Sequence, residues 1–265
     1  FSERAGWCLD LVDQRRRRRP LNWQAHRREH SGFPSFKPSF PMNTVRIWDL
    51  PTRLFHWSLA ICVIALVVTA KVGGDAMNWH FRLGYAVFTL LLFRLLWGLV
   101  GGHWSRFASF FPTPGRLARY LGGRATAHDT AGHNPLGALS VLAMLAVLAV
   151  QVGTGLFADD EIASAGPLTA LVSGSVVSAA TTWHKSWGQY LVIGLVVLHV
   201  LAIVIYRLRR HDLVTPMLHG DKPLAGAVPA ARDSVGTRLL ALVLLAVCAG
   251  VVYAVVQLGH RPMLG

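Results

Sequence analysis

The sequence predicts an all-α membrane protein: a polytopic bundle of five transmembrane helices, four forming a core and a fifth following at the C-terminus. Of its 265 residues, 53% are apolar and only 15% charged, against about 45–50% and about 25% in soluble domains. The mean hydropathy is +0.42 although the formal net charge is +13, which fits a chain whose charges are confined to loops. The apolar residues also gather into five runs, each near the roughly 20 residues that cross a hydrocarbon core. An ordinary soluble fold and a disordered chain are excluded by the same figures. Cys8, Cys62 and Cys248 lie far apart without a Cys-x-x-Cys pair, so no disulfide framework, zinc site or c-type haem attachment is written here.

Residues 1–41 hold the run Arg15 to Arg19, further Arg27 and Arg28, and no apolar periodicity. They read as a disordered basic tail, upstream of a natural start at Met42, where the composition changes to Val45, Ile47, Trp48 and Leu50. The alternative is a basic arm for nucleic acid or anionic lipid. Residues 42–265 form the membrane domain, which stays basic without the tail: nine Lys/Arg and four Asp/Glu fall in 1–41, leaving 17 minus 9, or +8. No nucleic-acid partner is expected for that domain.

The five spans are Leu54–Val72, His80–Val100, Pro135–Phe157, His184–Tyr206 and Leu239–Leu258. No small-x-small cleavage pattern follows the first, and Pro51 suits a helix start, so it reads as a retained span. The stretch from Ile162 to Thr182 is uncharged but rich in Ser, Thr, Gly and Ala, and reads as a long loop at the membrane surface. The 101–134 and 207–235 loops hold Arg106, Arg116, Arg119, Arg124, Arg207, Arg209, Arg210, Lys222 and Arg232, whereas 158–183 holds no Lys or Arg. By the positive-inside rule the N-terminus and both basic loops face the cytoplasm. Trp48, Trp57, Trp79, Trp97, Trp104, Trp183 and Trp187 fall near span ends, as an interfacial aromatic belt would place them.

Four of the twelve histidines lie in or at the ends of spans, where ionisable groups are costly and mark function. His56 and His199 fall in the cytoplasmic half, His80 and His184 at the outer end. His184 and His199 are 15 residues apart, roughly 22 Å along a helix and about 60° in azimuth. One helix thus offers a ligand in each leaflet, and the first and second spans supply a partner at each level. Two stacked bis-histidine haems need this arrangement, since low-spin iron takes two axial imidazoles. Gly84 and Gly188 each follow a histidine by four residues, where a missing side chain would let a porphyrin approach. Arg94, about 21 Å below His80 on nearly the same face, and Arg53, three residues before His56, would put positive charge beside the inner haem's propionates. His103, His128, His211 and His219 read as solvated loop residues, and His133, before the helix start Asn134-Pro135, as an interfacial flank.

The run Val45-Arg46-Ile47-Trp48-Asp49-Leu50-Pro51-Thr52-Arg53-Leu54-Phe55-His56-Trp57 resembles the opening of the bacterial cytochrome b561 family that includes the b-type cytochrome of nickel-iron hydrogenases. So do His80-Phe81-Arg82-Leu83-Gly84-Tyr85, Phe93-Arg94-Leu95-Leu96-Trp97-Gly98 and Gly132-His133-Asn134-Pro135-Leu136-Gly137. The likeness runs from residue 45 to about 258. It implies a bundle in the bacterial inner membrane binding two b haems, with ligands on the first, second and fourth helices at His56, His80, His184 and His199. Related cytochromes often separate the two fourth-helix ligands by 14 residues, one fewer than here. The implied partners are membrane lipid, quinone or quinol, and a c-type cytochrome or hydrogenase-like protein; a homodimer is compatible with the sequence. Three functions stay open at this point: a transmembrane electron conduit, a self-sufficient haem oxidoreductase (quinone-linked reduction or superoxide oxidation) with a pocket at the outer haem, and a proton-coupled transporter with a histidine relay.

Overall fold

The computed structural model describes residues 42–162, 164–225 and 227–259; the basic tail expected over 1–41 lies outside them. A first strand, β1 (Met42–Arg46), leads into α1 (Leu50–Val72), which crosses to the far end, and α2 (Ala76–Val100) returns. A 3₁₀ turn (His103–Ser105) and three short helices, α3 (Phe107–Phe110), α4 (Pro114–Leu121) and α5 (Ala127–Ala131), lead to α6 (Pro135–Phe157). After the 158–173 loop, α7 (Gly174–Thr182) passes through a π-turn (Trp183–Gly188) into α8 (Gln189–Leu208). The chain ends with α9 (Val214–His219), β2 (Asp221–Ala225) and α10 (Val235–Leu258). β2 pairs antiparallel with β1, Met42 opposite Ala225 and Arg46 opposite Asp221. The helices α1, α2, α6 and α7–α8 form the core of the bundle, and α10 packs on α2 and α1.

Five helices are long and apolar enough to cross a membrane, Gly174–Leu208 counting as one. Their outer faces leave Val196, Val197, Val200 and Leu201 exposed, a surface that water would penalise and lipid tails accept. The third span begins and ends where the sequence places it, while α1, α2 and α10 begin four residues early. Local caps set the starts of α1, α6 and α10: the side chains of Asp49, Asn134 and Ser234 accept from the backbone N–H of Thr52, Gly137 and Thr237.

Two expectations need correction. The Ile162–Thr182 stretch is a loop only as far as Ser173; from Gly174 it is helical and continuous with the fourth span. Hydropathy misses this because a hydroxyl lowers the score without breaking a helix: Thr181 Oγ1 bonds back to the Val177 carbonyl at 2.8 Å. Nor do the tryptophans form one belt. Trp79 and Trp187 face outward, but Trp48, Trp97 and Trp104 are buried in the protein. Closeness to a span end is the same for lipid-facing and core-facing positions, and only azimuth separates them.

The end that carries the sheet is densely tied. Ile47, Trp48, Trp104, Ala131 and Ala231 form one apolar cluster. Arg46 reaches Asp221 at 2.6 Å and Asp233 at 2.8 Å, and Lys222 Nζ donates to the carbonyls of Thr130 and Ala131, which end α5. At the centre is Asp49, fully buried. Its carboxylate accepts from Thr52 N (2.9 Å), Ser105 Oγ (2.7 Å), Gly102 N (3.2 Å) and Trp97 Nε1 (3.3 Å). The start of α1 is thereby tied to the end of α2 and to the turn beyond it.

Asp49→Ala removes a helix cap and strands the Trp97, Ser105 and Gly102 donors in a dry site. The expected cost is about 2–4 kcal/mol, read as a lowered melting temperature of the protein in detergent. Asp49→Asn, which keeps one acceptor oxygen, is expected to lie between the two.

Candidate cofactor site

His56 on α1 and His199 on α8 lie with ring centroids 6.4 Å apart, and His80 on α2 lies 6.1 Å from His184 in the π-turn. The four histidines therefore meet in two pairs, each formed by two different helices. A metal–imidazole bond of about 2 Å plus about 1.1 Å from ring nitrogen to centroid, doubled, gives about 6 Å across one iron. Both separations match that span.

The tautomers at the far end are fixed by geometry. His80 Nδ1 lies 3.1 Å from the Leu66 carbonyl on α1, and His184 Nδ1 lies 2.9 Å from the Gln151 carbonyl on α6. A carbonyl only accepts, so each Nδ1 carries the proton and each Nε2 keeps a free lone pair. This is how a ligating histidine is usually oriented. Gln151 also donates through Nε2 to the His184 carbonyl at 2.9 Å. A Cβ added at Gly155 would meet the His184 ring at 2.8 Å, so α6 must present a glycine there. Leu66, Gln151 and Gly155 were not singled out from the sequence, since nothing in a single chain marks which carbonyl or glycine will face a ring from another helix.

A cavity of about 830 Å³ runs beside this pair between α1, α2, α6 and α8, lined by Leu66, His80, Gly84, Leu148 and His184 among others. That is the scale of a large cofactor, whose sites span about 300–1,000 Å³. Gly84 lines the cavity and has open space where a side chain would stand. Gly188 does not face it: a Cβ there would strike the Gln151 amide and the Trp183 indole. Its missing side chain makes room for the group that buttresses His184, not for a porphyrin plane.

At the sheet end His56 Nδ1, Arg53 Nε and His133 Nδ1 are sealed from solvent without a hydrogen-bond partner among the described residues. Arg53 Nη1 donates to the Leu218 carbonyl at 2.6 Å. Arg94 is buried, donates to the Ser105 carbonyl at 3.0 Å, and stacks 4.7 Å above Phe107. His133 is not an interfacial flank but packs inside the protein, its ring 4.7 Å from Trp48 and 4.6 Å from Phe110. Burial, then the nearby Arg94 and the His56 and His199 rings, push its pKa down, so it is a neutral imidazole at pH 7. His103 and His128 likewise pack against Trp104 rather than standing free, although His128 remains exposed.

The π-turn accounts for the spacing of the fourth-helix pair. A π-turn closes i→i+5 where an α-turn closes i→i+4. Fifteen residues from His184 to His199, with one such turn between Trp183 and Gly188, cover the rotation of fourteen in a continuous α-helix. Deleting Ser186 is expected to close the turn into an α-helix and leave the haem content of the purified protein unchanged. Inserting one alanine after Gly194 is expected to swing His184 about 100° off its partner and halve the haem content, measured as pyridine haemochromogen per chain.

The family described as prokaryotic cytochrome b561 matches residues 47–220. The chain is similar to a probable Ni/Fe-hydrogenase B-type cytochrome subunit of Azotobacter vinelandii, 27% identical over 209 residues, covering 66% of this chain and 87% of that protein. A probable Ni/Fe-hydrogenase 1 B-type cytochrome subunit of Escherichia coli K12 is 24% identical over 64% of this chain and 84% of its own. A probable Ni/Fe-hydrogenase B-type cytochrome subunit of Cupriavidus necator is 24% identical over 66% and 85%. No solved structure matches the chain.

Proposed function

The chain belongs to the prokaryotic cytochrome b561 family, and we propose that within it the protein binds two b haems and moves electrons between the two faces of the bacterial inner membrane. That it is a membrane b-type cytochrome of electron transfer follows from the family and from the five apolar helices. The finer reading rests on one observation: two histidine pairs, each drawn from two helices, at ring separations of 6.4 and 6.1 Å.

His80 and His184 hold one haem, their Nε2 lone pairs freed by the Leu66 and Gln151 carbonyls, in the cavity lined by Gly84. His56 and His199 hold the other. Arg53, Arg94 and the neutral His133 furnish the donors for carboxylates at the sheet end, where three nitrogens are sealed without partners. When bound, the haems supply reversible one-electron chemistry. The protein's contribution is to hold four imidazoles correctly turned in a water-poor bundle. No buried chain of acids or bases is needed, so the conduit reading is favoured over a histidine proton relay.

The basic loops and the sheet face the cytoplasm, as the positive-inside rule orients them. The exchange partners are a quinone pool on one hand and a hydrogenase-like protein or c-type cytochrome on the other. The hydrogenase class is the one to which the named relatives are assigned as subunits.

A reduced-minus-oxidised visible spectrum of the purified protein tests the reading. Sharp b-type bands and two haems per chain are expected. His80→Ala or His184→Ala should remove one haem and spare the other, and His56→Ala or His199→Ala should do the reverse, each variant keeping about half of the b-type absorbance. A colourless folded protein, or equal loss of both haems from every single variant, would overturn it.

A further inference from the structure

The segment between α2 and α6 lines a second cavity, of about 500 Å³, whose lining includes none of the four paired histidines. Its walls carry His103, Arg106, Arg116, Arg119, His128 and Asp129. Three arginines therefore face one carboxylate. Asp129 is buried and held by Arg116 at 3.0 Å, Arg119 at 3.4 Å and Thr126 at 2.9 Å. Burial works against its charge, but these bonds outweigh burial and hold the carboxyl well below the usual carboxylate range. Asp129 is thus a fixed negative floor that aligns two guanidinium groups.

The other donors lack an acid. Arg106 is exposed and makes no ion pair or side-chain hydrogen bond among the described residues. His103 Nε2 is sealed from solvent and has no hydrogen-bond partner among the described residues. Beside the lining residues stand exposed apolar groups: Phe111, whose carbonyl accepts from Arg116 at 3.3 Å, is 57% exposed, and Leu121, two residues past Arg119 at the end of α4, is 65% exposed. Along α4 the charged positions Arg116 and Arg119 alternate with Leu117 and Leu121 at helical spacing. Such a short amphipathic helix lies in the plane of the membrane surface, its basic face at headgroup level and its apolar face against acyl chains.

We propose that this cavity binds the phosphodiester of an anionic glycerophospholipid, with Arg106, Arg119 and His103 on the phosphate and Phe111 and Leu121 under the acyl chains. A guanidinium fork matches phosphate oxygens in pairs. Basic pockets between membrane helices are ready receptors for such headgroups. Free inorganic phosphate offers the same oxygens but cannot use the flanking apolar surface, which is why a lipid is the assigned occupant. The site is independent of the haems.

The test uses the purified holoprotein in nanodiscs of phosphatidylcholine containing a minor fraction of phosphatidylglycerol, released and weighed by native mass spectrometry. Wild type is expected to retain phosphatidylglycerol in preference to phosphatidylcholine. Arg106→Gln should weaken retention about fivefold, and Arg106→Gln with Arg119→Gln about 25-fold, while Arg124→Gln, outside the cavity, changes nothing. Arg116 stays in place to pair Asp129, and an unchanged haem spectrum certifies the fold. Equal retention of the two lipids by wild type, or equal phosphatidylglycerol retention by the double variant, would overturn the proposal. Displacement of the lipid by millimolar inorganic phosphate would overturn the lipid assignment in favour of a free-anion site. The wild-type comparison of the two lipids decides the matter even if the double variant does not fold.

Discussion

A single buried carboxylate, Asp49, sets the relative height of α1 and α2. It caps α1 through Thr52 and reaches Trp97, Gly102 and Ser105 at the other helix's end. Each of these bonds to a charged group is worth about 1.5–3 kcal/mol alone, but all share one acceptor. A vertical slip of α1 against α2 would break them together and leave a carboxylate unpaired in a dry site. Arg94 follows from the same constraint: the Ser105 carbonyl that Asp49's partner presents is the one Arg94 donates to.

The far ends of the same two helices are joined by a different bond, from His80 Nδ1 on α2 to the Leu66 carbonyl on α1. The α1–α2 hairpin is therefore pinned at both ends, by an anion at one and an imidazole at the other. This makes the ring height of His80 a consequence of backbone geometry rather than of its own rotamer. His184 is pinned in the same manner to α6 through Gln151, from which it also receives a bond at its own carbonyl. Among the described residues the sheet-end pair has no such carbonyl partner, and His56 Nδ1 is unpaired. The two sites thus differ in kind: one is preorganised by hydrogen bonds, the other surrounded by donors.

Much of this was legible in the sequence, and the reasons are local. Five apolar runs, and four histidines whose depths follow from a rise of about 1.5 Å per residue, need no tertiary information. The pairing of His56 with His199 and of His80 with His184 follows from depth alone, and the rings do lie close. What stayed hidden depends on azimuth and on long-range partners. Trp48, Trp97 and Trp104 occupy belt positions by sequence yet turn inward. Asp49, 48 residues from Trp97 and 56 from Ser105, looks like an ordinary helix cap. Gly188 invited a porphyrin by its spacing from His184, but its neighbour is Gln151. His133 read as a flank because the sheet-end segments that enclose it are distant in the chain.

The π-turn links the spacing of the fourth-helix histidines to the packing of α6. Fifteen residues of ideal α-helix would set His184 and His199 about 60° apart in azimuth, and one i→i+5 turn brings the rotation between them to that of fourteen, about 40° in the other sense. The widened turn falls at Trp183–Gly188, around His184 itself and beside the Gln151 amide that caps its carbonyl. Placing the irregularity there leaves α8 regular from Gln189 through His199 to Leu208. A membrane helix tolerates an opened turn only where the freed backbone groups find partners inside the protein. Gln151, and the glycine at 188 that admits it, supply that partner. The insertion and its compensation are therefore one local unit, and the rest of the bundle can keep the register that Asp49 and His80 impose on it.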